Sequence, residues 1–262
     1  MSVKQRNASK LACAFATSVV LLLGCFVVTG NAGAQGQTTK APSPSKEEVE
    51  NAFEERVFMQ TPGSPSDEYI VKWTRPIRIA LIYDRGAPVD IVSKLASDVA
   101  EIQRNTSHDI GFANQGVNFL IIFSKDLDAD LQIHGNQITP FFTVDGDYQS
   151  FFAAFRSAQW SCGNKILVGS DRAIAGVLLI VSVSPDHNAS DVSACMHGAL
   201  MSGVGVSRQK LLGQKTFLLA AVGTDFSALD KALLKILYDP SLQAGASAVT
   251  VKRKISEIYS GQ

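Results

Sequence analysis

No surplus of either charge marks this chain: 24 Lys and Arg residues stand against 24 Asp and Glu among 262 residues. A surface that grips nucleic acid or an anionic bilayer electrostatically needs a basic excess, and none is available here. Histidine is scarce, at four, and cysteine equally so. A zinc centre takes three or four nitrogen, sulfur or oxygen ligands at about 2 Å, and near His197 only Asp186 and His187 are close enough in sequence to suggest further ligands. The phosphate-cradling G-x-x-x-x-G-K-[S/T], the dinucleotide G-x-G-x-x-G, the G-x-S-x-G elbow and the metalloprotease H-E-x-x-H are all missing. There are no internal repeats.

What is present begins with an export signal. Lys4, Arg6 and Lys10 precede an apolar run over 11–28, and Ala32-Gly33-Ala34 supplies a small-residue cleavage site ahead of Gln35. An uncleaved membrane anchor is the alternative reading, since the run is about long enough to span a bilayer. A third reading lies within the segment. Leu22-Leu23-Gly24-Cys25 resembles a bacterial lipobox, which makes Cys25 a candidate lipidation site, although Phe26-Val27-Val28 keeps the segment apolar beyond it. With 1–34 removed, 228 residues remain, enough for one sizeable core. Their 21 basic and 24 acidic side chains give a net charge of −3. No later apolar run is long enough to cross a membrane. The expected location is therefore periplasmic or secreted, with membrane contact only through the signal segment or a lipidated Cys25.

Cys13 and Cys25 fall in the signal, leaving Cys162 and Cys195. An oxidising destination favours one bridge between them, with two buried free thiols as the alternative. Closing that loop stabilises by about 3–4 kcal/mol on a chain-entropy argument.

Along the chain, 35–45 is polar and proline-bearing and reads as a disordered linker. A globular domain then spans 46–246, with 247–262 as a tail carrying at most a short surface helix near 254–259. Ser45 and Glu48 form a capping box for a helix in which Val49, Phe53 and Val57 recur every fourth residue. The T-P-G-S-P-S run at 61–66 marks a loop. The run I-R-I-A-L-I-Y at 77–83 is a strand with Pro76 at its start. A helix is expected over 88–104 with Val92, Leu95, Ala96, Val99 and Ile102 inward, and 117–123 is a central strand. The D-L-D-A-D run at 126–130 lacks the glycine and terminal glutamate of a calcium loop, so a solvated turn is expected. A short strand is expected at 140–144. A helix over 147–160 carries the core aromatics Tyr148, Phe151, Phe152 and Phe155, with Cys162 fastening its end. Residues 174–183 form a buried strand, 215–222 one more apolar element, and Ser227 with Asp230 caps a last helix ended by Pro240. This alternation implies an α+β or α/β fold, a single mixed sheet flanked by helices.

Two segments carry a family resemblance: W-T-R-P-I-R-I at 73–79 and L-D-K-A-L-L-K-I-L-Y-D-P-S-L-Q-A-G at 229–245. Together they resemble the proteobacterial domain of unknown function 2927, whose members are often described as lipoproteins. The resemblance covers roughly 50–246, and L-Y-D-P is its most specific part. It implies an exported α+β domain and no established activity. It also implies that the cysteine matching Cys195 is followed by paired glutamates and a glutamine on one helix, an arrangement similar to a zincin helix. Here Gly198 and Ala199 stand at the glutamate positions and Ser202 at the glutamine.

The residues alone lead to the same place. His197 is the candidate metal ligand, with His187 as a second, but Met201 stands one helical turn after His197 and Gly198 replaces the neighbouring base. No catalytic residue and no cofactor are expected. The leading function is that of an exported, envelope-associated, non-catalytic binding or assembly factor on a degenerate protease-like scaffold, its partner a protein or another envelope component. The alternatives are a metal-dependent hydrolase using His187 and His197, and a structural lipoprotein anchored through Cys25.

Overall fold

The structure is a computed structural model that describes residues 43–61, 64–83, 89–142, 145–157, 162–183, 188–207 and 225–260. Its elements, in chain order, are α1 (Lys46–Arg56), β1 (Phe58–Thr61), β2 (Ser64–Ile70), β3 (Ile77–Tyr83), α2 (Val89–Thr106), β4 (Ile110–Phe112), β5 (Phe119–Ser124) and α3 (Leu127–Ile138). A 3-10 turn (Thr139–Phe141), α4 (Asp145–Ser157), β6 (Cys162–Val168), β7 (Ile174–Ser182), α5 (Ala189–Gly203), α6 (Ala228–Leu237) and α7 (Ala248–Ser260) complete the order.

A five-stranded mixed sheet in the order β4-β3-β5-β7-β6 organises the rest. The first four strands run parallel and β6 returns antiparallel along β7. All six residues of β5 are buried, as a central parallel strand covered on both faces requires, which is why its sequence shows no alternation. The strand β3 places Ile77, Ile79 and Leu81 on one face and Ala80 and Ile82 on the other. The first face meets α1, α2, α5, α6 and α7 in the larger core. The second meets Ile138, Phe141 and the aromatics of α4 in a smaller one. This is the α/β form of the expected fold.

Local chemistry sets several helix starts. Ser45 with Glu48 and Ser227 with Asp230 close reciprocal capping boxes on α1 and α6. Asn188 caps α5 by accepting from the Asp191 N–H. The other end of α5 is a Schellman turn: Gly205 lies at φ 94°, and the N–H groups of Gly205 and Val206 donate to the carbonyls of Ser202 and Met201. A side chain at Gly205 would also strike the Val71 carbonyl at 2.4 Å. At Gly203 an added Cβ would meet the Phe119 ring at 2.7 Å, so this glycine lets α5 lie directly on the sheet.

Several expectations need correction. The 126–130 segment is not a turn, because Asp126 accepts from the N–H groups of Asp128 and Ala129 and starts α3. Of the strand expected at 140–144, Pro140 and Phe141 instead belong to the 3-10 turn, which presents Phe141 to the smaller core, and 143–144 lie outside the described residues. Of the loop expected over 61–66, Thr61 ends β1 and residues from Ser64 onward belong to β2, while 62–63 lie outside the described residues. Cys162 does not finish a helix but begins β6. The inward stripe of α2 is Ile91, Leu95, Asp98, Val99 and Ile102, while Ala96 is exposed. Finally, the C-terminal segment forms a 13-residue helix with Val251 and Ile255 fully buried, more than the short surface helix expected. The expected signal over 1–34, its candidate lipidation site Cys25, the candidate ligand His187 and the apolar element at 215–222 lie outside the described residues. Among the described residues, no helix is long and apolar enough to cross a membrane.

Candidate functional site

His197 lies mid-way along α5 with none of its surface exposed, because the helix end is pinned to the sheet at Gly203 and its neighbours Met196 and Leu200 are core residues. Its Nδ1 stands 3.3 Å from Oδ2 of Asp98, which projects from the buried face of α2 and is only 2% exposed. The other Asp98 oxygen accepts from Lys94 one turn earlier on α2, and Lys94 also reaches Asp225 at 3.5 Å. The Phe226 ring meets the imidazole edge-on, with centroids 4.6 Å apart. The remaining nitrogen, Nε2, is buried with no hydrogen-bond partner among the described residues. Among the described residues this imidazole therefore meets one carboxylate and one aromatic wall, and none of its surface is exposed. Among the described residues, no group of three or more His, Cys, Asp or Glu side chains stands close enough to hold a metal ion.

The two cysteines are joined. Cys162 at the start of β6 and Cys195 on α5 form a disulfide with their Cα atoms 5.8 Å apart, and both residues are buried. It ties the antiparallel edge of the sheet to the helix that carries His197.

An open groove of about 1010 Å³ occupies the opposite face of the sheet. Ala80, Ile82 and Leu120 form its floor, Phe141 and Pro140 one wall, and His134 and Gln137 of α3 part of the rim. The far rim is the connection between β4 and β5. These strands flank β3 on opposite sides, so residues 113–118 must carry the chain past it, and Asn118 fixes that path. Its Oδ1 accepts from the Arg78 N–H at 2.8 Å while its Nδ2 donates to the Pro76 carbonyl at 2.9 Å. Arg75 stands at the mouth, where its guanidinium donates to the Ala175 carbonyl at 2.6 Å.

A third cluster brings together the two segments that carried the family resemblance. Trp73 donates its indole N–H to the Gly203 carbonyl at 2.8 Å and stacks on Phe119. Tyr238 donates its hydroxyl to the Val204 carbonyl at 3.0 Å and accepts from the Trp73 backbone N–H. Lys72 is buried, and its ammonium donates to the carbonyls of Leu237, Asp239 and Leu242 at 3.1, 3.4 and 2.7 Å. It therefore caps the end of α6 with all three of its N–H groups. The profile of the family described as protein of unknown function (DUF2927) matches residues 46–257. The chain belongs to that family. No curated protein and no solved structure matches it significantly.

In this DUF2927 domain the L-Y-D-P segment is thus a joint between α6, the end of α5 and the entry to β3. Burial pushes the Lys72 ammonium below the ordinary lysine value, with the Asp239 carboxylate pulling it partly back. Burial pushes the Tyr238 phenol well up, which keeps its proton in place as a donor. Asp230 is pushed up by burial, but Arg56 at 2.5 Å and the Ser227 cap more than offset this and hold it below the ordinary aspartate value. Sequence reasoning singled out His197 as a candidate metal ligand and expected the bridge between Cys162 and Cys195 that the structure contains. It missed Asp98, whose only local signal was a carboxylate on the apolar stripe of α2, and it missed the groove, which five separate segments assemble.

Proposed function

We propose that this DUF2927 domain is an exported, envelope-associated binding protein that holds its ligand in the groove over Ala80, Ile82 and Leu120 and performs no chemistry at His197. One observation carries the reading: the groove and the imidazole lie on opposite faces of the sheet, the first open and the second sealed. A catalytic histidine must reach its substrate within about 3 Å or through one water, and His197 has no exposed surface with which to do so. The groove has the concave form, largely apolar floor and few convergent polar groups of a small-molecule site, at the upper end of the usual range of about 300–1,000 Å³. The N-terminal signal pattern and the Cys162–Cys195 bridge, which suits an oxidising compartment, support export.

Protein recovered from the exported fraction tests this. Intact mass separates cleavage after Ala34 from lipidation at Cys25. Native mass spectrometry is expected to retain a bound small molecule that is absent when Ala80→Phe fills the groove floor. Stoichiometric zinc, lost in His197→Ala, would overturn the non-catalytic reading.

A further inference from the structure

The groove carries information about the ligand as well as its place. Its described lining includes one guanidinium and one imidazole, Arg75 and His134, and no carboxylate. This contrasts with a mature chain whose acidic residues outnumber its basic ones, 24 to 21. Arg75 is exposed, forms no ion pair among the described residues, and spends one N–H on the Ala175 carbonyl. The rest of its fork is free to take a carboxylate in the bidentate geometry that guanidinium favours.

Shape narrows the occupant further. The groove runs along β3, which from Ile77 to Tyr83 spans roughly 20 Å at about 3.3 Å per residue, with Arg75 just ahead of the strand. Its floor is a sheet face, where the strand backbones already pair with one another and offer a ligand little to bond. An extended peptide laid there would bury amide groups without partners, at a cost of about 1–3 kcal/mol each, whereas a hydrocarbon chain has none to satisfy. Tyr83, 60% exposed, stands at the end of β3 away from Arg75.

We infer that the groove binds a free single-chain fatty carboxylate, its head on Arg75 and its chain along Ala80, Ile82 and Leu120. This rests on the reading of the chain as a binding protein and names what it binds. The chain would lie against Phe141 and the sheet, with the head group at the solvent-facing mouth. Binding is then driven by buried methylenes and oriented by the guanidinium.

Isothermal titration of the mature protein with monomeric dodecanoate, decanoate, dodecyltrimethylammonium and acetate tests this. Saturable one-to-one binding of dodecanoate is expected, about fourfold tighter for each added CH₂ that is buried. Acetate and the cationic amphiphile should bind at least tenfold more weakly. Arg75→Gln should weaken dodecanoate about tenfold or more while leaving the thermal melt unchanged. Ala80→Phe should abolish binding, with circular dichroism reporting that the fold persists. Equal affinity for the cationic and anionic amphiphiles, or no effect of Arg75→Gln, would overturn the assignment of the head group. Binding to phosphatidylglycerol vesicles without binding of monomeric dodecanoate would overturn the inference outright. If no amphiphile binds but a different small molecule is retained from the exported fraction and lost in Ala80→Phe, the inference falls and the binding reading stands. If nothing is retained either, both fall.

Discussion

Trp73 donates its indole N–H to the carbonyl oxygen of Gly203, 2.8 Å away and 130 residues later in the chain. That bond fastens the entry of β3 to the end of α5, where Gly205 turns the chain and Tyr238 holds the next carbonyl. Trp73→Phe keeps a ring against Phe119 but leaves the Gly203 carbonyl buried without a donor. The expected loss is about 1–3 kcal/mol, read as a lower urea midpoint with an unchanged slope. An unchanged midpoint would mean that water or another donor replaces the indole.

The Asp98–His197 pair should behave as a structural contact between α2 and α5. Asp98→Asn and His197→Gln are each expected to destabilise by about 1–3 kcal/mol. Because the side chains touch, the double variant should depart from additivity by about 0.5–3 kcal/mol. Denaturant titration of the four proteins gives the coupling directly, and strict additivity would show that the two groups do not interact.

The Cys162–Cys195 bridge closes a separation of 33 residues. Replacing both cysteines by alanine should cost about 3–4 kcal/mol through the unfolded chain, with a further loss from the packing of two buried side chains. Since both residues are buried, dithiothreitol should reduce the bridge only as fast as the protein opens. Thiol labelling over a time course distinguishes that from rapid reduction of the folded state.

Glu101 on α2 is held down to about 2 from an ordinary 4.5, first by the ammonium of Lys231 on α6 and then by the Arg104 guanidinium. A carboxylate whose pKa is lower in the folded state stabilises the fold above its unfolded pKa. That contribution is present at neutral pH and disappears as the pH falls from about 5 towards 2. Glu101→Gln should flatten this part of the acid-unfolding profile. A profile unchanged by the substitution would place the acid sensitivity elsewhere.

How much of this was legible in the sequence depends on how far each interaction reaches. The starts of α1 and α6 were readable because Ser45–Glu48 and Ser227–Asp230 complete their bonds within one turn. β5 and β7 were readable because strands covered on both faces leave unbroken apolar runs. The strand β6 was not, since Cys-Gly-Asn-Lys at its start looks polar and is buried only through pairing with β7 and packing under α5. Asp126 was misread for a different reason: the same side chain that suits a solvated turn also caps a helix, and the conformation of the residues from Leu127 onward decides between them. His197 was visible as an isolated imidazole, but its partner lies 99 residues away on a helix whose inward face was expected to be wholly apolar. The groove was beyond reach because its charge at Arg75, its floor on β3 and β5 and its wall at Phe141 converge only once the sheet forms.

Amide chemical-shift mapping of residues 35–262 with dodecanoate tests the central claim most directly, because it reports both faces of the sheet in one titration. The account predicts that the amides of Ala80, Ile82, Leu120 and Gly176 shift together and saturate while those of Asp98 and His197 stay in place. Saturating shifts centred on Asp98 and His197, with the groove residues unmoved, would contradict it.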